Sequence, residues 1–123
     1  MTKTNQSRKI LHVEDDADNR EMVSLMLSEY QVTSVETYAE GLIAAKGHDF
    51  DLYLIDNNLE DGLGVDLCRE IRRFDKDTPI VFCSGFTDES HQRTALNFGA
   101  SAFLTKPFDR QGLLGLVEAQ LTK

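Results

Sequence analysis

The sequence predicts an α/β fold, a parallel β-sheet covered by helices on both faces. Short β-type runs alternate with helical patterns in five strand-then-helix repeats, and several runs are apolar almost throughout, as strands buried on both faces must be. Size agrees: 123 residues, 41% of them apolar and 28% charged, suit a single core.

The strands are read at Lys9 to Glu14, Gln31 to Glu36, Leu52 to Asp56, Ile80 to Cys83 and Ala102 to Thr105. The first helix takes Asp18 as its N-cap with Glu21 three residues on, and sets Met22, Val23, Met26, Leu27 and Tyr30 on one stripe. Thr37 and Glu40 form the same box for a second helix, which carries Leu42 and Ile43 and stops at a left-handed Gly47. The third, about Gly64 to Phe74, buries Val65, Cys68 and Ile71. The fourth, about Asp88 to Phe98, has a thin stripe of Ala95, Leu96 and Phe98 that predicts loose packing, and Gly99 ends it. The last opens at Asp109 and holds Leu113, Leu114, Leu116, Val117 and Leu121, more than one narrow face hides, so a partner is expected to cover the surplus. Gly112 and Gly115 each cost that helix about 1 kcal/mol.

Thirteen Lys and Arg against 21 Asp and Glu leave a net charge of −8, a field that repels phosphate backbones and anionic lipid, so direct nucleic-acid binding is not expected. No apolar stretch approaches the roughly 20 residues that span a bilayer. Residues 1–8 are polar and lack the apolar core of a secretory signal, which predicts a short disordered arm on a cytoplasmic chain. The chain stops with its last helix, and no output module is expected downstream. Cys68 and Cys83 have no metal-binding spacing and read as reduced, buried thiols. His12 reads as a packed histidine, His48 and His91 as surface ones.

Polar residues gather at one kind of place. Glu14, Asp15 and Asp16 follow the first strand, Asp56 ends the third, Ser84 follows the fourth and Lys106 follows the fifth. In open parallel sheets that carboxyl edge is where ligands bind. If strands one and three are neighbours, the acidic pair and Asp56 converge while Ser84 and Lys106 close the other side. Three carboxylates held so close need a cation, and an all-oxygen set with few ligands favours Mg2+ or Mn2+ over zinc. A carboxylate so placed can attack a phosphoryl group, with Lys106 neutralising its oxygens and Ser84 hydrogen-bonding one of them, to give an aspartyl phosphate. Singly, each of these residues is an ordinary turn or helix-entrance residue. Their co-occurrence after four strands is what carries the assignment.

The V-E-D-D run from Val13, L-I-D-N-N-L-E-D-G-L-G from Leu54, the S-G pair at Ser84 and T-K-P-F from Thr105 resemble, in that order, the receiver domain of bacterial two-component response regulators. The likeness runs from Lys9 to the C-terminus, residues 9–123. It implies a flavodoxin-like, doubly wound five-stranded parallel sheet in the order 2-1-3-4-5 with five helices. It also implies Asp56 as phosphoacceptor, fed by a phosphohistidine on a sensor histidine kinase or a histidine phosphotransfer protein. Asp15 would bind Mg2+ directly and Glu14 through water, with Asp56 and the main-chain carbonyl of Asn58 completing the metal set. Ser84 would swing toward the phosphoryl group, Lys106 would pair with it beside a cis bond to Pro107, and Phe103 would be the aromatic that follows the switch. A downstream protein is then expected to read the face made by helix four, strand five and helix five, and a phosphorylation-dependent dimer is left open.

The sequence departs from the family pattern in three places. Glu60 stands four residues after Asp56 where proline is common, which predicts a more flexible loop; Phe103 replaces the common tyrosine; and Phe86 is bulky enough to shield an acyl phosphate from water, so Asn58 and Phe86 are expected to set its lifetime. A haloacid-dehalogenase-like phosphatase uses a similar residue set, and Asp16-Ala17-Asp18 offers its D-x-D, but there the nucleophile follows the first strand and the acidic pair comes late, the reverse of this order. A receiver-fold interaction module that never accepts phosphate is the other alternative, with Glu60 in its favour.

Overall fold

The computed structural model describes residues 4–47, 49–85 and 89–122. Five parallel strands, β1 (Lys9–Val13), β2 (Gln31–Val35), β3 (Leu52–Asp56), β4 (Ile80–Ser84) and β5 (Ala102–Thr105), lie in the order β2-β1-β3-β4-β5. Between them run α1 (Ala17–Met26), α2 (Tyr38–Gly47), α3 (Gly64–Arg72) and α4 (Glu89–Asn97), and α5 (Arg110–Leu121) follows β5. The predicted strands are all present, with ends that move by at most one residue, and a small antiparallel hairpin, Asn58–Leu59 with Gly62–Leu63, joins β3 to α3. No described helix is long and apolar enough to cross a membrane.

The doubly wound arrangement follows from the alternation of side chains along strands buried on both faces. Leu11, Val13, Tyr53, Ile55, Ile80 and Phe82 point into one layer with Leu67, Cys68 and Ile71 of α3 and Ala95 of α4. Ile10, Leu52, Leu54, Val81 and Cys83 point into the other, against Val23 and Leu27 on the α1 side and Leu113 and Val117 of α5. β3 and β4 are buried at every position. Both cysteines are free and buried as expected, and burial pushes the Cys68 thiol up to about 12.

Several local expectations need correction. Asp16, not Asp18, caps α1: its Oδ1 accepts from the amides of Asp18 at 2.8 Å and Asn19 at 3.2 Å. Met22 is exposed, whereas Val23, Leu27 and Tyr30 are buried. The box on α2 forms, with the Glu40 amide donating to Thr37 Oγ1 at 3.1 Å, but Ile43 faces solvent and Gly47 ends the helix without entering the left-handed region. Leu67 is the buried α3 residue the periodicity missed. Gly99, at φ 111, is the left-handed glycine after α4. Leu96, placed on the core stripe, is half exposed, and the described part of α4 contributes Ala95 to the core. On α5, capped by Asp109, Leu114, Leu116 and Leu121 pack partly against their own core, so the expected surplus is largely covered within the chain. In the described part of the amino-terminal segment, Asn5–Ser7 form a 3-10 turn, and Arg8 Nη1 donates to the Leu121 carbonyl at 3.1 Å. His48 and Phe86 lie outside the described residues.

The amino edge of the sheet is tied by one guanidinium. Arg72, at the end of α3, donates to the carbonyls of Gly99 at 2.9 Å, Asp75 at 3.0 Å and Thr78 at 2.7 Å, and to Ser101 Oγ at 3.4 Å. The Asp75 carboxylate accepts from Tyr53 Oη and from the amides of Asp77 and Thr78; burial acts to raise its pKa, and these hydrogen bonds outweigh it and hold the carboxyl below its usual range. Arg72→Ala leaves three part-buried carbonyls without this donor and is expected to cost about 2–3 kcal/mol, read as a lower urea midpoint with an unchanged slope.

Candidate functional site

The strand order does the assembly. β1 and β3 are neighbours in register, with Val13 opposite Ile55, so the residues just beyond β1 meet the last residue of β3. Asp56 pairs with Cys83 and Ser84 with Thr105, which brings Ser84 and Lys106 to the same edge. Backbone bonds extend each strand end into the site: Glu14 N–H to the Val35 carbonyl at 3.0 Å, Asn57 N–H to Cys83 at 3.0 Å and Lys106 N–H to Ser84 at 2.8 Å.

Carboxylate oxygens of Glu14, Asp15 and Asp56 lie within 4.8 Å of one another. Glu14 and Asp56 are buried, whereas Asp15 is exposed and leaves the cluster open to solvent on one side. Lys106 Nζ bridges the buried pair, 2.9 Å from Glu14 Oε1 and 2.5 Å from Asp56 Oδ1. The cation that the sequence demanded for this cluster is therefore supplied in part by the chain itself. The donors are all hard carboxylate oxygens with no thiolate or neighbouring imidazole ligand among them, a set that suits Mg2+.

Burial raises the Asp56 pKa, and the Lys106 ammonium opposes that shift without cancelling it. Asp15 is also raised, by desolvation and by its neighbour Glu14. For Lys106 burial acts to lower the pKa, but bonds to Asp56 and Glu14 prevail and hold it above the usual lysine range. Thus Lys106 stays an ammonium while Asp56 and Asp15 carry the strain of crowding.

The remaining predicted residues fall at or behind this edge. Ser84 is buried at the end of β4. The Asn58 amide donates to Asp56 Oδ2 at 3.2 Å. Phe103 sits partway down β5 against Phe82, ring centroids 5.7 Å apart, behind the polar edge and not on it. The Lys106–Pro107 bond is cis. Gly64 closes the back of the acceptor: a Cβ there would fall 2.0 Å from the Asp56 carbonyl oxygen, so only glycine lets α3 approach β3 this closely. His12 is the packed histidine expected; burial, with Lys106 and Arg20 adding to it, lowers its pKa to about 3 and keeps it neutral. A cavity of about 400 Å³ lined by His12, Met22, Val23, Pro107 and Phe108 adjoins Lys106, while a larger one of about 500 Å³ lies around Tyr53 and Phe74 at the far edge, away from the cluster.

Sequence reasoning missed two supports. Arg20 Nη1 donates to the Glu14 carbonyl at 2.8 Å and fixes the turn that presents the acidic pair. Asp61 accepts from the first two amides of α2. Glu60 had suggested a flexible loop, but the loop is closed by the Asn58–Leu63 hairpin and by the Gly64 amide bonding Asn57 at 2.7 Å.

The raised Asp56 pKa carries a stability sign. An ionised Asp56 disfavours the folded state, and that penalty is absent below the unfolded value of 3.8 and grows as pH rises through the folded one. Asp56→Asn is therefore expected to unfold at higher urea than the wild type at pH 7, with the gap closing on acidification toward pH 3.8, whereas added Mg2+ stabilises the wild type more than the variant.

The family model of the response regulator receiver domain matches residues 10–118. The cell cycle response regulator CtrA of Brucella ovis is 32% identical over 113 residues, which is 90% of this chain and 49% of that protein, and its counterpart in Brucella abortus strain 2308 matches equally. The chain thus spans about half the length of the curated relatives it matches. A two-component response regulator from Clostridium difficile superposes with a TM-score of 0.90 at 28% identity, covering 95% of this chain and 98% of that one. The receiver domain of a Pseudomonas aeruginosa PAO1 sensor histidine kinase, which holds a magnesium ion in its active site cleft, does so at 0.88 and 26% identity over 95% and 99% of the two chains. The dehalogenase-like alternative has no place beside a match of this length. A chain whose sheet order has already brought its scattered acids to one edge, and whose sequence fits the model almost from end to end, belongs to the response regulator receiver domain family.

Proposed function

We propose that residues 9–123 form a phosphorylation switch that takes a phosphoryl group from a phosphohistidine, on a sensor histidine kinase or a histidine phosphotransfer protein, onto Asp56. The buried, part-neutralised Asp56 carboxylate beside Glu14, Asp15 and Lys106 is the observation that carries this reading. An Asp56 oxygen attacks phosphorus, the phosphorus–nitrogen bond breaks, and the histidine leaves with its electron pair and takes a proton from solvent. Asp15, Glu14, Asp56 and the Asn58 carbonyl are the residues that would hold Mg2+, as the ion in the Pseudomonas domain supports. When bound, the ion neutralises charge on the transferring phosphoryl oxygens. Lys106 exchanges Glu14 for a phosphoryl oxygen, and Ser84 hydrogen-bonds another. The chain is in this reading a phosphoacceptor with no free substrate of its own to turn over.

Movement of Ser84 leaves room for Phe103 to turn, and the face of α4, β5 and α5 changes shape for a downstream protein or a second copy of the chain. The Phe103–Phe82 packing and the scant core contribution of the described part of α4 support that route.

Incubation of the chain with phosphoramidate and Mg2+ is expected to add one phosphoryl group by intact mass, none in Asp56→Asn, and to run at least about tenfold slower in Lys106→Ala. No mass gain in the wild type favours the phosphate-independent interaction module. Hydrogen exchange at the α4–β5–α5 face is expected to change when beryllofluoride is added; identical protection with and without it would overturn the proposed output face.

A further inference from the structure

The loop that carries Asn58 is held by a residue outside the carboxylate cluster. Asp61, at the tip of the Asn58–Leu63 hairpin, accepts from the Tyr38 amide at 2.7 Å through Oδ1 and from the Ala39 amide at 3.1 Å through Oδ2. These are the first two amides of α2, donors that no turn of that helix can satisfy. The next residue, Gly62, lies against the Tyr38 ring, where a Cβ would come within 2.9 Å of Cδ2. Below, Asn58 pairs with Leu63 and its amide meets Asp56 Oδ2 at 3.2 Å. A continuous path of hydrogen bonds therefore runs from the start of α2, through the hairpin, to the acceptor carboxylate.

α2 is a firm anchor for that path. Its first turn is closed separately by Thr37 Oγ1, which accepts from the Glu40 amide, and Gly41 and Ala45 bury its inner face. The hairpin has no proline of its own, since Glu60 stands at its turn, so without the anchor its geometry rests on two residue pairs and the buried Leu59.

We propose that Asp61 is a positioning residue for the phosphorylation site: by clamping the hairpin to α2 it fixes the loop that bears Asn58 relative to Asp56, and so sets how tightly the site takes its divalent cation. This rests on the receiver reading above and adds to it a residue that touches neither cation nor phosphate. Preorganisation of this kind acts on affinity, because a wandering loop must be ordered each time the cation binds.

The chain of residues 1–123, its Asp61→Ala and Asp61→Asn variants and a Thr37→Ala control are titrated with MgCl2 by NMR, and amide exchange of the metal-free proteins is measured. Asp61→Ala is expected to expose the hairpin amides to faster exchange and to weaken Mg2+ binding by about 3- to 10-fold. Its phosphorylation by phosphoramidate slows at low Mg2+ and recovers at saturating Mg2+. Asp61→Asn, whose amide oxygen still accepts, recovers part of the affinity. Thr37→Ala loosens the same helix end without touching the hairpin and leaves Mg2+ affinity unchanged. Wild-type affinity in Asp61→Ala, or an equal loss in Thr37→Ala, overturns the assignment and leaves Asp61 a helix cap only. Failure of the wild type itself to bind Mg2+ and gain phosphate overturns the receiver reading, and the role of Asp61 with it.

Discussion

A single ammonium group between two buried carboxylates is the interaction on which this molecule is organised. Isolated in the interior, Glu14 and Asp56 would repel each other and lose most of their hydration. Lys106 reaches both, and it can do so because the sheet order puts the ends of β1, β3 and β5 on one edge with β4 between them. The two partners of the Lys106–Asp56 pair respond unequally. The lysine side chain is 27% exposed and gains from two acceptors, while the aspartate side chain is 9% exposed and its desolvation outweighs its one counter-charge. The edge is thus neutralised enough to fold and left strained enough to welcome a further cation or a change of charge on Asp56.

Rigidity and freedom are distributed unequally around that edge. The turn after β1 is fixed by the Asp16 cap and by Arg20, and the loop after β3 by its hairpin, so the acidic side is built to hold still. On the other side Ser84 and Lys106 end adjacent strands above an aromatic pair, Phe82 and Phe103, that fills space by contact alone. A hydroxyl on residue 103 would add a directional bond; a phenyl ring leaves its orientation to packing. The fixed acidic turns and the aromatic pair therefore lie on different strands, and Lys106 joins the two sides of the edge.

What could be read from the sequence was what depends on near neighbours. Continuous apolar runs gave away β3 and β4 because burial on both faces leaves no alternative composition, and the box of Thr37 and Glu40 announced the start of α2. Glu14, Asp15, Asp56, Ser84 and Lys106 stood out in the sequence because each ends or follows a strand. Where three acids crowd one helix entrance, periodicity cannot choose the cap, and Asp16 took the place given to Asp18. Ile43 and Leu96 looked like core because an apolar residue carries no label for the face it occupies. Asp61 and Arg72 were invisible for a different reason: the partners of Asp61, and Gly99 and Ser101 among those of Arg72, lie more than twenty residues away, and most of the groups they meet are backbone ones, which have no sequence identity to recognise.

Arg72 gives the molecule a mechanical polarity. One guanidinium fastens the end of α3, the turn before β4 and the corner between α4 and β5, all at the edge opposite Lys106. That edge is a fixed root, and β4 and β5 project from it like a pair of cantilevers whose tips carry Ser84 and the residue that precedes Lys106. The tied ends of β4 and β5 and their site-bearing ends thus lie at opposite edges of the sheet.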